Sequence, residues 1–110
     1  MKARIPGAPD RAGMMKKIQE MQENMERVQA EVESSEFTSS SGGGVVEATV
    51  NGKHEIVKLT IKPEVVDPDD VEMLEDLLIA CINESIKKAN DAMDKGIESA
   101  KGGLSIPGLI

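Results

Sequence analysis

Aromatic residues and cysteine are scarce in this sequence of 110 residues, which has one Phe, one Cys, one His and neither Trp nor Tyr. A single cysteine cannot form an internal disulfide, so nothing indicates an oxidising compartment. One His and one Cys fall short of the four ligands of a structural zinc site, so we predict no metal and no other cofactor. Aromatic side chains usually supply much of the buried area of a core. A chain without them is predicted to pair with a second copy.

Long hydrophobic runs are also missing. No apolar run approaches the roughly 18–20 residues that span a bilayer, and the basic start of the chain is not followed by the apolar segment of a secretory signal. We therefore expect a cytoplasmic protein without a membrane partner. His54 has no partner in the sequence pattern and is predicted to be an exposed hairpin residue, whereas Cys81 is predicted to be a buried, inert thiol. With no nucleophile–base pair, we expect neither an enzyme nor a small-molecule substrate.

The first part of the chain divides at Met14. Residues 1–13 contain two Pro and two Gly without periodicity, which predicts a flexible basic leader. Apolar residues then recur at alternating spacings of 4 and 3, which predicts an amphipathic helix over residues 14–34 with a heptad stripe. The stripe consists of Met14, Ile18, Met21, Met25, Val28 and Val32. Its partner is either a second copy or the chain's own domain, and the sequence leaves both open.

The middle of the chain has the alternating pattern of strands. Residues 45–61 predict a hairpin around Asn51-Gly52, two positions that tolerate a positive φ. Because two strands are rarely stable alone, the stretch Phe37–Ser41 is a candidate third strand. The glycines at 42–44 are predicted to form a turn and not a phosphate loop, since a strand follows them.

A second long helix is predicted to open at residues 67–70 (DPDD). This stretch offers a capping Asp, a Pro near the first turn and acidic residues at the positive end of the helix dipole, so capping explains the acidic cluster without a metal. Apolar residues then follow at spacings of 3 or 4, and Gly102-Gly103 ends the helix before a flexible apolar tail, residues 102–110. A single domain is thus predicted over residues 14–101.

The charge is distributed unevenly. The chain carries 20 acidic and 13 basic residues, a net charge of −7, and the acidic excess lies in the two helical segments. Only residues 1–17 are distinctly basic. A solvated tail is one explanation of this basic stretch, and an anion-binding surface is the other. The cations are Lys2, Arg4, Arg11, Lys16 and Lys17, opposed by Asp10.

The order of these motifs resembles the YbaB/EbfC family of bacterial nucleoid-associated proteins, over about residues 13–108. The resemblance rests on residues 14–25 (MMKKIQEMQENM), the glycine run into Val45, residues 51–55 (NGKHE), residues 70–77 (DVEMLEDL), and Gly102-Gly103 before a tail containing Pro and Gly. It implies a small α+β homodimer with a long N-terminal helix, a three-stranded antiparallel sheet and a long C-terminal helix. It also implies projecting first helices and binding of double-stranded DNA with little sequence preference.

The resemblance places Lys16 and Lys17 at the start of the projecting helix, where we expect DNA phosphate contacts. Arg27 lies farther along it, and Lys87 and Lys88 on the second helix are weaker candidates. The expected dimer interface is the stripe at Ile18, Met21, Met25 and Val28.

Two functions remain open at this stage. The first is a nucleoid-associated protein that affects chromosome organisation or gene expression, with DNA and a second copy as its partners. The second is a protein-interaction scaffold with incidental DNA affinity, which the acidic balance and the scarcity of aromatic residues favour.

Overall fold

The computed structural model describes residues 11–101 and has the predicted α+β architecture. The elements are helix α1 (Arg11–Ser34), strands β1 (Glu36–Ser41), β2 (Val46–Asn51) and β3 (Ile56–Ile61), a short 3-10 turn (Pro63–Val65) and helix α2 (Val71–Ala100). Helix α1 begins at Arg11 and not at Met14, so the end of the predicted leader is helical. The rest of the leader and the predicted tail lie outside the described residues. Within these residues, neither helix combines the length and hydropathy needed to cross a membrane.

The three strands form one antiparallel sheet in the order β1-β2-β3. The third strand expected near Phe37 is therefore confirmed as β1. Ala48 at the centre of β2 is paired with Ser39 of β1 and Leu59 of β3. Because side chains alternate along a strand, these three residues face the same side of the sheet.

The core lies between the sheet and α2. Val46 and Ala48 of β2 are fully buried and form a cluster with Val65 and Cys81. The Ser85 hydroxyl bonds the Ala48 carbonyl oxygen at 2.9 Å, which fixes α2 along the middle strand. Cys81 is 1% exposed, so the prediction of a buried thiol is confirmed.

The start of α2 has the predicted Asp cap but lies later than predicted, since Pro68 precedes the helix and is not in its first turn. Asp70 is the N-cap, and its carboxylate accepts a hydrogen bond from the Met73 backbone N–H at 3.2 Å. This bond satisfies one of the donors that the first turn of a helix leaves free.

The β2–β3 hairpin is confirmed, but its turn differs from the prediction. The residue with a positive φ is His54, at 68°, and not Gly52. The Asn51 side-chain oxygen accepts hydrogen bonds from the backbone N–H groups of Lys53 and Glu55, at 2.9 and 3.0 Å. This network stabilises a wider turn than the two-residue type that an Asn-Gly pair favours.

Candidate nucleic-acid interface

Helix α1 consists of two parts with different surroundings. We call residues 21–34 the seated half, because all the half-buried side chains of α1 lie there. We call residues 11–20 the arm, and all its side chains are exposed. No residue of α1 is fully buried. The seated half packs on α2 and β2, whereas the arm is in contact with neither helix nor sheet over most of its surface.

Two glycines allow the seated half to approach the body closely. A Cβ atom at Gly52 would overlap the backbone carbonyl of Val32, and one at Gly96 would overlap the Val28 side chain. Glycine is therefore required at both positions by the approach of α1. The requirement at Gly52 does not come from a positive φ.

These contacts also give the direction of α1. Val32 lies at the hairpin turn, and Val28 lies at Gly96, farther toward the C-terminal end of α2. The two helices are thus antiparallel. Extrapolating at about 1.5 Å per residue from the Gly96–Val28 contact places Ala100, the end of α2, opposite residue 24. The arm extends beyond that end, and Arg11 lies about 20 Å past it.

The cations of α1 are concentrated on the arm. Arg11, Lys16 and Lys17 are exposed, and the first acidic residue of the helix is Glu20. Within residues 11–101, the one ion pair joins Lys87 to Asp91, so none of the three arm cations is paired with a described carboxylate. Since successive residues turn by about 100°, Lys16 and Lys17 lie on neighbouring faces away from the centre of the stripe. The arm therefore presents an exposed cationic surface.

Arg27 has different surroundings. Its guanidinium donates a hydrogen bond to the Asn24 side-chain oxygen at 3.0 Å. Glu23 and Glu31, four residues before and after it, share its face of the helix. These carboxylates reduce the positive potential at Arg27, so it is a weaker anion contact than the lysine pair.

Lys87 and Lys88 lie on the body, far from the arm. The Lys87 ammonium is 3.7 Å from the Asp91 carboxylate, and Lys88 donates a hydrogen bond to the Thr38 carbonyl oxygen at 2.6 Å. Lys88 thereby joins α2 to β1. By helical rise, Lys88 and Lys16 are about 30 Å apart along the axes. The five predicted DNA-contact residues thus do not form one surface.

The predicted dimer stripe also divides between the two parts of α1. Met21, Met25 and Val28 are half-buried, and Val28 packs on Gly96 of its own chain. Ile18 belongs to the arm and is 42% exposed. The seated part of the stripe is therefore partly covered by its own chain.

A second apolar surface, which the sequence reasoning missed, lies along β3. Ile56, Val57 and Leu59 are 44–51% exposed. Helix α2 packs on β1 and β2, so Leu59, although it faces the α2 side of the sheet, is left uncovered. The sequence signal was the apolar pattern of β3, which indicates an apolar face but does not tell whether α2 covers it.

Comparison with known proteins places this arrangement among its relatives. The model of the YbaB/EbfC DNA-binding family matches residues 8–104. The chain is 50% identical over 103 residues to a nucleoid-associated protein of Clostridium acetobutylicum, covering 94% of this chain and 92% of that one. It is 48% identical over 103 residues to a nucleoid-associated protein of Alkaliphilus metalliredigens, covering 94% and 90%. The crystal structure of an uncharacterized protein of Helicobacter pylori shares the fold, with a TM-score of 0.59, 24% identity, and coverage of 71% of this chain and 90% of that one.

Proposed function

Because this chain belongs to the YbaB/EbfC DNA-binding family, we propose that it is a homodimeric nucleoid-associated protein of the cytoplasm that binds duplex DNA through phosphate contacts. In this role it affects chromosome organisation or gene expression. The observation that carries the proposal is the arm, a helix end with three exposed cations and no acidic residue before Glu20.

The arm suits phosphate groups because it concentrates positive charge on an accessible surface. Each phosphate that Lys16 or Lys17 neutralises releases condensed counterions, which drives binding. The remainder of the chain is acidic, with a net charge of −7 overall, and repels DNA. Binding that rests on a few cations opposed by this repulsion is expected to be modest and to weaken strongly with salt.

Low sequence specificity follows from the side chains of the arm. The polar groups of residues 11–17 are one Arg and two Lys, and such cations can contact the phosphates of any DNA sequence. A lysine ammonium is a compact point charge without the bidentate geometry that distinguishes bases. We therefore assign Lys16 and Lys17 to phosphate contacts, with Arg27, Lys87 and Lys88 as secondary ones.

A second copy of the chain completes the proposed assembly. The exposed apolar residues of β3 lie on an edge strand, which in monomeric proteins is normally covered or protected by charge. We assign this edge to the dimer first. The seated members of the predicted stripe, Met21, Met25 and Val28, are the second surface, because α2 already covers part of them.

The β3 surface also favours one other function, that of a protein-interaction scaffold. Its apolar side chains suit another protein as well as a second copy, and such docking needs no DNA. A DNA titration distinguishes the two functions, since only the first requires the protein to bind duplex DNA.

The test is a fluorescence-anisotropy titration of labelled duplex DNA at several salt concentrations. We expect salt-sensitive binding by the unaltered protein, with a log–log slope of about −0.9 per phosphate contact. Unlabelled duplexes of unrelated sequence are expected to compete equally. The double variant Lys16→Glu/Lys17→Glu is expected to lose binding while sedimentation equilibrium still gives a dimer mass.

The matched control is Lys53→Glu/Lys95→Glu, which changes the net charge equally at two other exposed lysines. We expect this control to retain most of the binding. Equal losses in the two double variants would contradict the assignment to the arm. If the unaltered protein does not bind DNA even at low salt, the DNA function is wrong and the scaffold becomes the better explanation. A monomeric mass for the unaltered protein would contradict the dimer.

A further inference from the structure

The apolar face of the arm is continuous with the face of α1 that packs on α2. Met14 and Ile18 continue the stripe whose later members are half-buried in the seated half. Beside them, Met15 is 67% exposed, and Arg11, Met14, Met15 and Ile18 together line a recess. We call these four residues the arm patch. An apolar face of this kind on a helix normally packs against another element.

We propose that the segment following α2, residues 102–110 of the same chain, packs on the arm patch through Leu104 and Ile106. This inference concerns packing within one chain and goes beyond the proposed DNA function. It assigns Ile18 to the tail and not to the second copy.

The position and direction of α2 support the tail as the occupant. Helix α2 runs antiparallel to α1 along the stripe and ends opposite residue 24, so the following residues leave it at the base of the arm. Ile18 lies about 9 Å and Met14 about 15 Å beyond that point. At about 3.3 Å per extended residue, Leu104 can reach about 13 Å past Ala100 and Ile106 about 20 Å. Both therefore reach the patch with length to spare.

The composition of the tail agrees with this assignment. It contains no charged side chain, and its large aliphatic residues lie within reach of an apolar recess. The leader, which is the other segment close to the arm, has Ile5 and charged Lys2 and Arg4, and it would have to reverse direction at Arg11 to cover the patch. The tail needs no reversal. The large aliphatic residues of the tail are Leu104, Ile106, Leu109 and Ile110.

The first experiment is disulfide trapping in the full chain with the pair Ile18→Cys/Leu104→Cys. A disulfide forms only when the two Cα atoms come within roughly 4.4–6.8 Å. We expect a crosslink within one polypeptide and none in a mixture of the two single variants. Native Cys81 is buried and can stay. The matched control, Ile18→Cys/Val66→Cys, places the second thiol at an exposed position on the opposite end of the body and is expected to give no crosslink.

The second experiment is hydrogen exchange of the full chain with Leu104→Ser/Ile106→Ser, which leaves the body unchanged. Loss of tail packing is expected to speed amide exchange at residues 14–18 by about tenfold, the equivalent of losing one partly buried aliphatic contact. Val66→Ser, which alters an exposed apolar residue elsewhere, is expected to leave exchange in the arm unchanged.

Three results would overturn the proposal. Crosslinking in the mixture of single variants would assign the tail to the partner's arm. Disulfides between two copies of Ile18→Cys, with arm exchange that depends on protein concentration and not on the tail, would assign the patch to a second copy. Unchanged exchange in Leu104→Ser/Ile106→Ser together with no Ile18–Leu104 crosslink would leave the leader as the cover.

Discussion

The two parts of α1 have similar hydrophobic periodicity but different surroundings. The seated half is held by close backbone approach at Gly52 and Gly96, whereas the arm extends past the end of α2 with every side chain exposed. Their charges differ in the same way, since the arm is cationic and the seated half contains four Glu and one Arg. Periodicity thus predicts that a helix forms, whereas glycines elsewhere in the chain determine which part of it has a neighbour.

The largest expected effect comes from Gly52→Ala, which disrupts the packing of the seated half at the hairpin turn. The new Cβ would overlap the Val32 carbonyl, which is backbone and cannot rotate away. We expect unfolding free energy to fall by about 2–3 kcal/mol, as in overpacked cores. Urea denaturation at fixed protein concentration measures it. Gly43→Ala is the control, since its Cβ meets nothing within 4 Å and only its positive φ of 76° opposes alanine. A smaller loss of about 1 kcal/mol is expected for Gly43→Ala. A larger loss for Gly43→Ala than for Gly52→Ala would contradict the close approach of Val32 to Gly52.

A smaller effect is expected from Gly96→Ala, because its new Cβ meets a side chain, that of Val28. Overpacking is partly offset by the better helix propensity of alanine, so the net loss is about 1 kcal/mol. In a Val28→Ala background the overlap is removed. The same Gly96→Ala change is then expected to stabilise the protein by about 0.5–1 kcal/mol. A double-mutant cycle by urea denaturation tests this change of sign, and additive effects would contradict the Gly96–Val28 contact.

The smallest expected effects come from one methionine substitution in each part of α1, which compares the packing of the seated half and of the arm directly. Met25→Ala in the seated half removes half-buried apolar surface and is expected to cost about 1 kcal/mol. Met15→Ala in the arm, where the side chain is 67% exposed, is expected to change the global unfolding free energy by less than about 0.5 kcal/mol. Both are read from urea midpoints. Equal costs would mean that the arm is as well packed as the rest of α1.

Local sequence patterns predicted the helices and the sheet because each is defined by contacts close in sequence. Hydrophobic periodicity predicted both helices. Strand β1 was predicted because a two-stranded hairpin is rarely stable without a third strand. The contact of Gly52 with Val32 could not be predicted, since it joins segments that no local pattern relates. The contact of Gly96 with Val28 could not be predicted for the same reason.

The candidate site was predicted less completely than the fold. Lys16 and Lys17 came from the charge distribution and the family resemblance, and the structure places them on an exposed helix end. Their contact with DNA stays a prediction. The exposed edge at β3 escaped sequence reasoning because its exposure depends on which strands α2 covers.

The hairpin turn has a mechanical consequence, since it joins β3 on one side and supports Val32 of α1 on the other. The turn supports α1 near its C-terminal end, and Arg11 lies about 31 Å along the helix from the contact at Gly52. A 10° tilt of α1 about this contact moves the tip by about 5 Å, more than the roughly 3.4 Å rise along the DNA axis from one phosphate of a strand to the next. A partner that binds along β3 and tilts the turn would therefore change the positions of Lys16 and Lys17, and with them the phosphates that these lysines can reach.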